Sequence, residues 1–90
     1  MFLHLGGDTS VLLRDVVGIF DLDSIKDSPA TKEFLEIARD EGLISMVGTE
    51  DKIKSFIITK EKVYYSPISS ITLQKRALNI MDLEDGLEEQ

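Results

Sequence analysis

Lys52, Lys54, Lys60, Lys62, Lys75 and Arg76 share residues 52–76 with a single acid, Glu61. Ammonium and guanidinium groups gathered this way are suited to neutralising the phosphates of a nucleic acid. Tyr64 and Tyr65 lie among them, close enough in sequence to stack on bases or to hydrogen-bond. The same residues have a second reading, in which the lysines solvate an edge strand, the last two cations sit near a helix C-terminus, and the tyrosines serve as core and interface. The rest of the chain is acidic. Its net charge is −7, although residues 52–76 alone carry +5. A nucleic-acid binder ordinarily shows a basic surface, so the total counts against one. Charges more than about 10 Å apart are largely screened at ordinary ionic strength, however, so a local basic patch acts on its own.

Other groupings with chemical potential are weaker. Asp8-Thr9-Ser10 imitates the triplet of a dimeric aspartic protease, but it follows Gly6-Gly7 in what reads as a hairpin loop rather than an apolar strand. Asp21-x-Asp23 opens like a calcium loop, yet its sixth and twelfth positions are Lys26 and Lys32, where glycine and glutamate are needed. His4, the single histidine, alternates with Leu3 and Leu5 on a strand and reads as a surface or interface side chain with no metal partners. Gly6-Gly7 lacks the spacing of a phosphate loop. The chain has no cysteine, which removes disulfides, thiolate catalysis and cysteine-containing zinc sites. The expectation is a protein that is not an enzyme and uses no metal, cofactor or small-molecule substrate.

The elements that must position the basic residues are readable in outline. Phe2–Leu5 and Val11–Leu13 read as a hairpin across the loop Gly6 to Ser10. Val16–Leu22 is near-continuously apolar, which predicts a strand buried on both faces, and Gly18 within it predicts a bulge or a close neighbouring backbone. Ser28 and Pro29 are cap and first residue of a main helix over about 28–41, with Ala30, Phe34, Ile37 and Ala38 inward, and Gly42 ends it with Leu43 folding back on Ala38. Leu43–Val47, Lys54–Lys60 and Val63–Ser66 read as strands. Alternation in the second places Phe56 and Ile58 on one face and Ser55, Ile57 and Thr59 on the other, with the end lysines acting as edge gatekeepers. Glu61 lies in a tight turn, and Pro67 stops pairing. Ser69 or Ser70 then caps a short C-terminal helix through about Leu78, although Ile71 and Thr72 also permit a strand. The fold class is α+β, with a small, mostly antiparallel sheet.

Ninety residues suffice for one domain, over 1–80, followed by an acidic tail, 81–90, too poor in apolar groups to fold. A chain this short buries only about 60–65% of its unfolded surface, and oligomerisation is the staple left to it. The N-terminus has no basic region or long apolar run, and no window approaches the ~18 apolar residues of a membrane span, so the expected location is the cytoplasm.

Three blocks add a family resemblance: FLHLGGDTSVLLRDVVGIFDLD (Phe2 to Asp23), TKEFLEIARDEGLI (Thr31 to Ile44) and YYSPISSITLQKR (Tyr64 to Arg76). In register over roughly residues 1–78, they resemble the RemB-like, or YaaB-like, extracellular matrix (biofilm) regulators of spore-forming Gram-positive bacteria. These are siblings of the RemA family, whose members resemble a LytTR-type DNA-binding fold, form rings and activate biofilm-matrix operons. The resemblance implies a LytTR-like, ring-forming homo-oligomer that binds double-stranded DNA and regulates transcription. The alternative is an oligomeric interaction module that regulates through protein partners. In RemA-like relatives paired arginines precede the strand that starts near Lys54, where this chain has Glu50-Asp51-Lys52. Another arginine corresponds to Asp15, beside Arg14, while the proline and base that open the helix are kept as Pro29 and Lys32. The DNA-contact set implied is Arg14, Lys32, Lys52 and Lys54, with Lys75 and Arg76 on the C-terminal helix.

Overall fold

The structure is a computed structural model that describes residues 1–88, with side chains through Met81. β1 (Phe2–Gly6) and β2 (Thr9–Leu12) form the expected hairpin, with Leu3 opposite Val11 and the chain reversing at Gly7-Asp8. β3 (Val16–Asp21), β4 (Ile44–Met46), β5 (Ser55–Thr59) and β6 (Val63–Ser66) make a four-stranded sheet in the order β3-β5-β6-β4. The β3–β5 and β5–β6 pairs are antiparallel, and β4–β6 is parallel. The chain is therefore α+β, as expected. Helix α1 (Pro29–Asp40) joins β3 to β4, and α2 (Ser70–Glu88) follows β6. Since β3, β4 and β6 run the same way, α1 is a crossover helix that starts at the end of the sheet where β3 finishes.

Alternation along β5 divides the core as the sequence predicts. Ile57 points to a cluster with Leu3, Leu5 and Val11 of the hairpin, Val47 just after β4, and Leu73 of α2. Phe56 points to the opposite cluster, with Leu35 and Ala38 of α1 and Val63 and Tyr65 of β6. Two buried hydroxyls lock the first layer to the sheet. Ser66 Oγ donates to the Leu5 carbonyl at 2.6 Å, and Ser55 Oγ donates to the Ile68 carbonyl at 2.7 Å. Buried hydroxyls require such partners, and these also fix where the hairpin and the entry to α2 sit.

Both helices start on local signals, and α1 also stops on one. The Ser28 hydroxyl accepts from the Thr31 N–H and Pro29 opens α1. At its far end Gly42 takes φ 74°. Leu43 N–H then donates to the Ala38 carbonyl and Gly42 N–H to that of Arg39, the bond pair of a Schellman cap. At α2 it is Ser69 that caps, accepting from the Thr72 N–H at 3.2 Å. Helix, not strand, is the outcome there. It runs beyond the expected end near Leu78 because Ala77 and Ile80 continue the inward line of Leu73. The expectation for the acidic tail rests on side chains that lie outside the described residues.

Three expectations need correction. β3 is an edge strand and is not buried on both faces: Val16 and Ile19 pack inward while Val17 is 69% exposed. The register does shift between Val16 and Gly18, as a bulge would. The Phe20 ring crowds Gly18 as well, and a Cβ there would lie 2.5 Å from it. β5 is central, paired on both sides, so Lys54 and Lys60 flank a core strand and guard no edge. Finally, α1 buries Leu35 and Ala38, leaving Phe34 43% and Ile37 51% exposed. The apolar arc of this helix is wider than its contact with the sheet, and the crossing direction selects Leu35 over Phe34.

Candidate nucleic-acid interface

The topology sorts the predicted basic residues into groups. Lys54 immediately precedes β5, and its backbone is clamped: its N–H donates to Ser66 at 2.9 Å, and its carbonyl accepts from Leu22 at 3.0 Å. Lys52 ends a short 3-10 turn, Glu50–Lys52, held by its own N–H to the Thr49 carbonyl at 3.1 Å. Lys32 stands in the first turn of α1, its N–H bonded to the Ser28 carbonyl. Because Ser55 pairs with Asp21 at the end of β3, and α1 starts at that end, Lys32, Lys52 and Lys54 share one end of the sheet. All three side chains are exposed. The N-termini of α1 and α2 lie there too, and each adds partial positive charge.

Acids interleave with these bases. Asp21 and Asp23 line the same cleft as Lys54, together with Ser69, Ser70 and Ile71. Asp23 also pairs with Lys26 at 3.8 Å, and Glu50 and Asp51 precede Lys52. The end is thus a mixed, solvated surface, suited to positioning contacts with phosphate and equally to a charged protein partner.

Arg14 is not part of this group. It lies in the 3-10 turn Leu13–Asp15 before β3, at the other end of the β3–β5 ladder, where Val16 pairs with Thr59. Five strand residues separate the two ends, about 16 Å. Asp15 beside it pairs with Lys60 at 3.8 Å. Lys75 and Arg76 occupy the exposed side of α2, and Arg76 Nη1 donates to the His4 carbonyl at 3.4 Å. Gln74 Nε2 donates to the Ile19 carbonyl at 3.3 Å, so this part of α2 lies along the middle of β3, away from either end. One subunit therefore does not unite all six predicted bases.

The tyrosines pack into the core. Tyr65 is buried against Phe56, ring centroids 6.5 Å apart, and Tyr64 packs against the Leu3–Leu73 cluster. Asp8 is exposed in the hairpin turn, and His4 Nε2 lies 2.8 Å from the Gly7 carbonyl of that turn. Among the described residues no group of three or more His, Cys, Asp or Glu is arranged to hold a metal ion. No helix among them is long and apolar enough to cross a membrane.

Sequence reasoning missed an apolar groove between α1 and the sheet, lined by Phe20, Ala30, Phe34, Phe56 and Ile58. The signal was present in α1, whose four apolar residues Phe34, Leu35, Ile37 and Ala38 cover more of the helix than one contact can bury.

Comparison with known proteins agrees on one family. The model described as "RemA-like: Extracellular matrix regulatory protein A-like" matches residues 2–77. Over 84 residues, 93% of this chain and 99% of the relative, the sequence is 42% identical to "Extracellular matrix regulatory protein B" of Bacillus subtilis (strain 168).

Proposed function

Because the chain belongs to the RemA-like family of extracellular matrix regulators and is RemB-like within it, we propose that it controls matrix and biofilm gene expression as a ring-forming, DNA-binding homo-oligomer. It acts in the cytoplasm and without catalysis. The observation that carries the DNA contact is the convergence of Lys32, Lys52 and Lys54 with two helix N-termini at one end of the sheet. Each subunit offers few cations, so affinity comes from repetition, since identical sites held in one assembly exceed a single site by orders of magnitude. In a head-to-tail ring, Arg14 at the opposite end of one subunit joins the set through its neighbour.

A mobility-shift titration at two salt concentrations tests this. Binding of promoter and random duplex is expected at low salt. Combining Lys52→Glu with Lys54→Glu weakens both alike and lowers the salt slope by about one for each phosphate no longer neutralised, multiplied by the subunits engaged. No shift at low salt with micromolar protein defeats the DNA reading. The second reading, an interaction module acting through a protein partner, is then left standing. It is favoured by one observation, the carboxylates of Asp21 and Asp23 in the cleft of Lys54.

A further inference from the structure

Helix α1 roofs its face of the sheet incompletely. It sits down through Leu35 and Ala38, and beside that contact runs the groove between α1 and β3–β5. Phe56 and Ile58 line it, with Phe20 and Phe34 at its sides, and past Phe34 it continues by Ile37 to Leu43. Phe20 and Phe34 are 40% and 43% exposed. Ala30, Phe34 and Ile37 recur at helical spacing along this wall, two turns or about 10 Å. The outer rim of the wall is acidic, through Glu33, Asp40 and Glu41, all exposed.

The same chain carries a matching ridge. In α2, Leu73, Ala77 and Ile80 face the core, while Ile71 and Leu78 point away from it, 63% and 58% exposed. They too are two turns apart, with Lys75 between them on the same side. The ridge is an apolar pair with a central cation, and the groove is an apolar trough with Glu33, Asp40 and Glu41 along its α1 side and Lys60, Glu61 and Lys62 along its strand side. They lie on opposite sides of the sheet, so no chain fills its own groove with its own ridge.

We infer that the α1 groove receives α2 of a second copy of this chain, Ile71 and Leu78 entering beside Phe34 while Lys75 lies along the Glu33 and Glu41 rim. Lysine suits that position because its methylenes cover apolar surface while the ammonium stays in water. The two surfaces differ, so the contact is heterologous: each added copy leaves one groove and one ridge unfilled until the chain of subunits closes on itself. The inference rests on the proposed self-assembly and assigns its two faces.

Complementary disruption tests it. Phe34→Glu spoils the groove and leaves the ridge, and Leu78→Glu does the reverse. By light scattering each variant alone is expected to fall to monomer mass, with unchanged circular dichroism. Mixed in equal amounts they should form a heterodimer and nothing larger, since only one intact groove meets one intact ridge. A second measurement does not depend on charge insertion. The chain has no cysteine, so Phe34→Cys with Leu78→Cys in one chain should yield a ladder of covalent multimers on oxidation, while either alone should yield no ladder. Variants that assemble like the wild type, a mixture that stays monomeric, or no ladder would overturn this interface while leaving the ring reading in place. A wild type that is itself monomeric at micromolar concentration would remove both.

Discussion

The two faces of the central sheet are built from similar side chains and finished differently. On the hairpin side, Leu3, Leu5, Ile57 and Leu73 have no exposure at all, because two layers, β1–β2 and α2, close over them. On the α1 side a single helix covers the sheet, and Phe20 lies stacked on Phe56 with centroids 5.1 Å apart, its outer surface in water. The first face is the more completely closed of the two. The second is where, under the proposed assembly, stability and association would compete for the same residues. In the proposed assembly the half-open rings of Phe20 and Phe34 give self-contact its direction.

Substitutions on the two faces should separate these roles. Leu73→Ala is expected to be the most damaging, about 2–5 kcal/mol, because it opens a cavity among three packed elements. For a domain of this size that lowers the melting temperature by more than about 10 °C. Ser66→Ala comes next, at about 1–3 kcal/mol by chemical denaturation, since it leaves the Leu5 carbonyl and the Ile68 N–H without their partner. Phe34→Ala should cost about 1 kcal/mol when measured at protein concentrations low enough to keep the chain monomeric, since much of the ring is already in water. A loss there equal to that of Leu73→Ala would erase the contrast between the faces. Lys60→Ala removes an exposed ion pair with Asp15 and should change stability by less than about 0.5 kcal/mol in either direction.

Local chemistry was readable from the sequence and arrangement was not. Ser28-Pro29 and Gly42-Leu43 mark the bounds of α1 because capping depends on a few adjacent residues. Alternation in Ser55 to Thr59 reports its two faces because side chains of a strand must alternate. Strand order carries no such local mark. VVGIFDL looks like a doubly buried strand, but β4 takes the place beside β6 and leaves β3 at the edge with Val17 in solvent. The choice of Leu35 over Phe34 depends on the angle at which α1 crosses the sheet. The basic residues show the same limit: Lys32 and Lys52 are twenty positions apart, and only the β3–α1–β4 crossover brings them to one end, while Arg14, nearer in sequence to Lys32, is carried to the other.

The tie between β1 and α2 sets the timing of folding. Ser66 reaches back to Leu5, Arg76 to His4, and Leu73 completes the cluster around Leu3. The hairpin leaves the ribosome well before the side chains that cover it are synthesised. Until then Leu3, Leu5 and Val11 lack Leu73, Ala77 and Ile80, the part of their cluster that α2 supplies. Contacts this distant in sequence slow folding relative to local ones, and a chain whose opening strands wait exposed is open to capture by chaperones or by other nascent copies. Translation that stops before α2 should therefore release an unfolded chain rather than a partly working one, which makes the presence of folded protein a report that synthesis has passed Leu73.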